Sequence, residues 1–483
     1  MSTDTGIQHT PTRQTLPQAP LPPTKVIPQA PLLPTKVIPQ APLLPPRVAT
    51  SIILACAVVA SLAPSLLPRS SPTQAVVTGV FAACALALSA GTHRITRKLV
   101  ALSPRPLLRG VAATAGSLTV AAAGTVNAHW QNSLRAAMET DSTTPLHWIE
   151  VLCGSISVCA VLVVVGVGAF RACRALGWIK VFAALLVSAA AGVVIVAPMT
   201  TASFVERHRI ADAAVDSSHD IPSSSSRSGS ANSLVSWDAL GREGRKFVSG
   251  GTDGSAVRTY VGLAAAQTVA ERARLAVADV AHAGGFDKSH VVVAVPTGSG
   301  WIDDNAVSGI EERFAGDVAT VAAQYSNQPS WATFLFAEDS AKESATAVLD
   351  AIGTRVAAMD EAARPKVYVY GQSLGSIGGS SAVAQLPAGV CGALWAGPPA
   401  GEVATGGAVI LANSSDPVVW WSSDLLLSSP DLRSTRRDAP VPQWMPVISY
   451  LQTTVDMVSA LDAPAGHGHR YGRDQGLSLP DCS

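Results

Sequence analysis

Lys366-Val-Tyr-Val-Tyr-Gly-Gln-Ser-Leu-Gly375 decides how the second half of this chain folds. Lys366–Tyr370 is β-branched and aromatic and reads as a short buried strand. Gly371, Ser373 and Gly375 then make the string G-x-S-x-G, and a Gly-rich helix start runs on to about Gln385. In a strand–turn–helix setting this string predicts a nucleophile elbow. Only neighbours as small as Gly371 and Gly375 fit so tight a turn. The Ser373 hydroxyl then projects above the sheet, and the Leu374 N–H points to where an oxyanion would form. A Gly/Ser-rich loop after a strand is the plainer alternative.

Outward from the elbow, Val257–Gly262, His290–Val295, Asp317–Tyr325, Val390–Trp395 and Ala408–Asn413 read as further strands. Leu263–Ala283 and Ala341–Ala363 read as helices between them. Short, nearly continuous apolar strands alternating with helices imply a mostly parallel sheet covered on both faces.

A serine nucleophile needs a base, and the base needs an orienting acid. Asp416 follows the Ala408–Asn413 strand and is the expected acid, with Asp424 and Asp438 as rivals. An Asp before Pro417 is also an ordinary turn former. The later histidines are His467 and His469, in Gly466-His-Gly-His-Arg-Tyr471. Either fits the base, with His467 preferred because a Gly-His-Gly turn leaves its ring unhindered. No carboxylate or cysteine set accompanies the pair, so no metal is expected. The rest of an oxyanion hole is assigned to Gly298, Ser299 and Gly300 of Pro296-Thr-Gly-Ser-Gly-Trp301. That loop lacks the Lys-Ser/Thr ending of a phosphate loop.

Access to the site is read from spacing. Only Ala396–Gly407 separates the strand after the nucleophile helix from the next, too little for a cap domain. Trp420, Trp421, Leu425, Leu426, Leu427 and Trp444 come later. They are expected to line an acyl groove, to rest on a bilayer, or to be ordinary core.

The first half differs. The chain has 34 basic and 34 acidic residues, so charge offers no basis for a nucleic-acid partner. Only 14% of residues are charged, and mean hydropathy is +0.30, which points to a membrane portion. Residues 1–47 form a proline-rich arm holding an 11-residue repeat, PQAPLPPTKVI, PQAPLLPTKVI and PQAPLLPPRVA. Such proline density gives an extended spacer or a proline-recognition segment. No signal peptide is expected, because the first apolar run begins only near Val48.

Five apolar stretches of roughly 20 residues make 48–199 a transmembrane helical domain: Val48–Leu67, Gln74–Thr92, Gly110–Ala128, Trp148–Phe170 and Val181–Met199. Lys and Arg favour the cytoplasmic side. They concentrate in the arm, in the second link (Arg94, Arg97, Lys98, Arg105, Arg109) and in the fourth (Arg171, Arg174, Lys180). Five spans then bring the chain out on the far side, making a multi-pass protein with an extracytoplasmic catalytic domain. Residues 200–233 read as a flexible Ser-rich linker, and 234–483 as the catalytic domain. Cys391 and Cys482 are placed to form a disulfide if that domain lies outside the cytoplasm.

Pro64-Ser-Leu-Leu-Pro-Arg69, Ser228–Trp237, PTGSGW, Gln324-Tyr-Ser326, GQSLGS, Trp395-Ala-Gly-Pro-Pro399, Ser415-Asp-Pro-Val-Val-Trp-Trp421 and GHGHRY together resemble a bacterial α/β-hydrolase family with an N-terminal transmembrane domain, long described as of unknown function. The resemblance covers Val48 to Gly472. It implies an α-helical transmembrane bundle followed by an α/β domain of the α/β-hydrolase fold. The expected activity is a membrane-bound serine hydrolase acting on acyl esters or lipid-like substrates, without a cofactor. An acyltransferase with the same residues is the alternative, and a non-catalytic membrane scaffold the second. The proline-repeat arm and a short tail after Tyr471 depart from the family pattern.

Overall fold

The computed structural model describes residues 46–99, 106–177, 180–181, 197–215, 218–251, 254–386, 388–404 and 406–482. The repeat arm and most of the expected fifth span lie outside the described residues.

Four apolar helices come first: α1 Pro46–Ser61, α2 Ser71–Leu99, α3 Pro106–Ala137 and α4 Pro145–Leu176. Within the last three, Ser71–His93, Leu107–Ala137 and Pro145–Leu176 are long and apolar enough to cross a membrane. Small residues bring these helices together. A Cβ added at Gly79 would lie 2.7 Å from that of Val158, and one at Gly154 2.7 Å from that of Ala75, so α2 and α4 meet almost backbone to backbone.

The first expected span is corrected. α1 stops at Ser61, at 16 residues about 24 Å long, and Leu66 and Leu67 belong to no helix. They enter a second core with Leu134, Met138, Trp420, Leu425, Ala439 and Ala463. Hydropathy scores a leucine alike whether lipid or protein surrounds it.

The Ser-rich linker is corrected too. Helix α5, Ala197–Ala213, occupies its first part, and Ser228 and Ser233 near its end are tied to the α/β domain. Asp279 accepts from the Ser228 hydroxyl, from the Ser233 hydroxyl at 3.0 Å and from the Leu234 N–H at 2.8 Å. Ser228 in turn takes the Tyr260 N–H at 2.9 Å and is fully buried. One buried carboxylate with three donors fixes a segment whose composition alone reads as loose.

The sheet has seven strands: β1 Val257–Val261, β2 His290–Val295, β3 Val318–Ala323, β4 Lys366–Gln372, β5 Val390–Ala396, β6 Ala408–Asn413 and β7 Thr435–Arg436. Its order is β1-β3-β2-β4-β5-β6-β7, and every pairing is parallel. Helices α6 Gly241–Ser249, α7 Val269–His282, α8 Asp304–Arg313, α9 Ser330–Phe336, α10 Glu338–Ala357 and α11 Leu374–Gln385 surround it. β1 to β4 are buried almost throughout, which is why Val recurs in each without a regular polar alternation. β3 lies on one side of β2 and β4 on the other. Strand order therefore turns at β2, and ligands of such sheets bind beyond the carboxyl ends at that point. Beyond β6 come the short helices α12 Pro417–Trp420, α13 Ile448–Asp456 and α14 Asp474–Leu477.

Candidate active site

β4 delivers Ser373 at the carboxyl edge of the sheet. Its backbone has φ 54° and ψ −124°, a region costing a non-glycine residue about 1–3 kcal/mol. The turn is held from both sides. A Cβ at Gly371 would lie 2.4 Å from the Gly375 carbonyl oxygen, and one at Gly375 would lie 2.3 Å from that of Val295. The Ser373 N–H donates to Ala396 at 2.9 Å, and its carbonyl accepts the Ser376 N–H at 2.9 Å and hydroxyl at 2.5 Å. As the first residues of α11, Leu374 and Gly375 have N–H groups without an intrahelical acceptor. They add the positive end of the helix dipole beside the hydroxyl. Ser373 itself is half-exposed.

The steric argument sets a prediction. Gly375→Ala puts a methyl into the Val295 backbone, which cannot yield. We expect a loss of about 1–3 kcal/mol in stability and about 100-fold in turnover through the displaced Leu374 N–H. Gly353→Ala, in α10 with nothing within 4 Å, should instead stabilise by about 0.5–1 kcal/mol. Thermal denaturation and ester turnover of both variants check this.

Asp416, fully buried, sits after β6 as the N-cap of α12. One carboxylate oxygen accepts the Val418 N–H at 2.8 Å. The other lies 2.7 Å from His469 Nδ1 and accepts the Tyr471 hydroxyl at 2.7 Å. Burial, and then the adjacent carboxylate, push the Tyr471 phenol well above its ordinary pKa, so it stays protonated and donates. With Nδ1 engaged, Nε2 is the ring nitrogen left for proton transfer.

Gly397 joins this pair to the elbow. Its φ is +52°, and an added Cβ would lie 2.8 Å from Asp416 Oδ2 and 2.9 Å from His469 Cε1. Its neighbour Ala396 holds the Ser373 N–H, and Gln372 Nε2 donates to the His469 carbonyl at 3.4 Å. Elbow, imidazole and carboxylate thus share one small volume. No hydrogen bond joins the Ser373 hydroxyl to His469 among the described residues. Such bonds commonly close only when substrate is bound.

The preference for His467 is reversed. Its Nδ1 lies 3.2 Å from Asp438 Oδ2. Asp438 also accepts from the Ser414 hydroxyl at 3.1 Å, the Ser415 N–H at 3.0 Å and the Ser415 hydroxyl. Ser415 Oγ then accepts the Gly468 N–H at 2.8 Å, and Asn413 Nδ2 donates to the Gly468 carbonyl at 2.9 Å. His467 and Asp438 therefore clamp the loop that carries His469. Asp424, the other rival acid, is exposed on a short turn.

Gly300 also needs correction. Its N–H closes a turn onto the Thr297 carbonyl at 2.9 Å, and its own carbonyl takes the Tyr260 hydroxyl at 2.7 Å. The N–H groups of Gly298 and Ser299 donate to no backbone carbonyl among the described residues. Gly298 packs against Ser330 and Thr333 of α9. The expected groove residues are mostly interior: Trp420 and Leu425 are 2% exposed, Trp444 packs on them, and only Leu427 is well exposed at 79%. Tyr471 and Gly397 lie in quoted motifs, yet nothing in the sequence assigns them to the site. A polar aromatic two residues past a candidate base was the available signal.

The comparisons agree with this architecture. Residues 257–406 and 404–478 match the Alpha/beta-hydrolase family, and residues 62–251 match the Alpha/beta-hydrolase family N-terminus. The chain belongs to this α/β-hydrolase family. No curated protein matches it.

Proposed function

We propose that the protein is a membrane-bound serine hydrolase that cleaves acyl esters through an acyl-enzyme. Ser373 Oγ attacks the acyl carbonyl while His469 Nε2 takes the hydroxyl proton and passes it to the departing alkoxide. Water then repeats the sequence in reverse, releasing the acid and restoring Ser373. Asp416 orients the imidazole and stabilises its charged form, and Tyr471 holds Asp416. The oxyanion is received by the Leu374 N–H together with Gly298 or Ser299. The observation that carries this reading is the pairing of Asp416 with His469 behind a strained Ser373.

The domain is read as extracytoplasmic, from the alternation of basic links and from Cys391 and Cys482. These are joined in a disulfide with Cα atoms 5.1 Å apart, a bond typical of oxidising compartments. Labelling of intact cells with a membrane-impermeant fluorophosphonate tests chemistry and sidedness together. We expect labelling of the wild-type chain and none of Ser373→Ala. Labelling only after permeabilisation would reverse the orientation, and labelling of Ser373→Ala would remove the nucleophile.

A further inference from the structure

The helix α13 and the turn following it are built inside out. Between Val447 and Leu461 the buried side chains include Gln452, Thr453 and Asp456, at 3%, 2% and 0% exposure. The exposed ones are Val447, Leu451, Met457, Val458 and Leu461, with Thr454 the lone polar exception. Val458 is 85% exposed and Leu461 58%. In water this arrangement is the reverse of what burial favours, since apolar surface is left wet while polar groups need internal partners.

On this polar face the Gln452 amide N–H and the Asp456 carboxylate have partners in α1 and the loop after it. Gln452 Nε2 donates to the Ala60 carbonyl at 2.7 Å. Asp456 accepts the Leu66 N–H at 2.7 Å and faces the Arg69 guanidinium at 2.9 Å. Ala60 lies in the last turn of α1, so α13 sits level with the end of an apolar helix. Other freed carbonyls there are also capped by side chains: Ser61 by Gln74, Leu62 by Asn127 and Ser65 by Trp130. Such thorough capping suits a helix end short of water. The segment from Val447 to Leu461 exposes no charge. Beside it Trp421 stacks on Tyr450 at 5.9 Å and donates to Thr454 at 3.0 Å, the aromatic type found at membrane–water boundaries. Leu427 extends the apolar face, since the Val447 N–H donates to the neighbouring Leu426 carbonyl at 2.9 Å.

We infer that the face formed by Leu427, Val447, Leu451, Val458 and Leu461 is immersed in the bilayer surface, and that the enzyme takes its acyl substrate from that bilayer. The immersed segment leads directly into the site, because the His469 N–H donates to the Ala460 carbonyl at 3.1 Å. Immersion rests on the membrane reading of α1–α4, and the substrate class rests in addition on the proposed hydrolase chemistry.

The test uses the full chain, with Cys56, Cys84, Cys153, Cys159 and Cys173 replaced by alanine, in phosphatidylcholine proteoliposomes. Val458→Cys or Leu461→Cys is labelled with an environment-sensitive nitrobenzoxadiazole dye. Emission should shift to the blue and be quenched by phospholipid spin-labelled high on the acyl chain. The same dye at Glu361→Cys, on the far side of the sheet, should show neither. Water-like, unquenched emission at both α13 positions overturns the immersion. Turnover supplies the second arm. Val458→Asp should lower cleavage of a bilayer-embedded long-chain ester about tenfold, with a soluble acetate ester changed by less than about twofold. Equal loss on both esters overturns the bilayer-supplied substrate. Quenching is read without turnover, so quenching in a catalytically dead protein removes the hydrolase reading and leaves the surface standing.

Discussion

His469→Ala should lower kcat by about four orders of magnitude or more, while His467→Ala lowers it by less than about tenfold. The two rings are two residues apart and of one chemical type, so the asymmetry rests wholly on their partners. His469 Nδ1 has the fully buried Asp416 at 2.7 Å, and Gly397 leaves room for its Cε1 next to the strand end that holds Ser373. His467 is turned to Asp438, whose oxygens are already shared with Ser414 and Ser415. Losing His467 removes one strut of a clamp that keeps five other hydrogen bonds. In the proposed mechanism, losing His469 removes the proton acceptor. Single-turnover acylation by a chromogenic ester separates the cases, because the first variant should lack the burst and the second should retain it. A burst in His469→Ala, or its absence only in His467→Ala, would restore the sequence-based preference.

What the sequence makes legible and what it hides divide along a physical line. The elbow is legible because its requirement is local: a β-rich strand, two glycines where a Cβ would strike backbone at 2.4 and 2.3 Å, and a helix start. The strands are legible because burial on both faces leaves mostly apolar residues. Asp416 is legible from its place after β6. The choice between His467 and His469 is not, since it depends on Asp438 and Ser415, 29 and 53 residues from their partners in that loop. Gly300 misleads for a related reason. Its composition advertises a free N–H, and only the turn onto Thr297 reveals that the group is taken. Leu66 and Leu67 extend the first apolar stretch in a hydropathy reading, yet they fill a protein core. Water avoidance alone does not tell a leucine which apolar medium it will meet.

That second core is where the helical bundle and the α/β domain meet, and it sets the other large expected effect. Arg69 and Asp456, 3% and 0% exposed, are paired by Nε at 3.1 Å and Nη2 at 2.9 Å. Arg69 Nη2 also donates to the Gln452 carbonyl at 3.1 Å, and Gln131 holds the Arg69 N–H at 2.8 Å. Removing one partner of a buried pair strands the other charge, so Arg69→Met or Asp456→Leu should each cost about 3–5 kcal/mol. Arg69→Met with Asp456→Leu leaves no stranded charge and should recover more than half of that loss. Recovery stays incomplete, because the Leu66 N–H still loses its acceptor. Thermal inactivation of the four proteins in one detergent measures the cycle. Arg69 should also act as a positioning residue at long range. Leu67, two residues before it, lies 3.1 Å from where a Gly468 Cβ would sit, and Gly468 precedes His469. A shift of this link reaches the imidazole through Gly468. In the single variants kcat should therefore fall about 100-fold with KM nearly unchanged, and the double variant should regain much of it. An equal rise in KM, or full stability in either single variant, would show that the junction neither positions the histidine nor holds the bundle to the sheet.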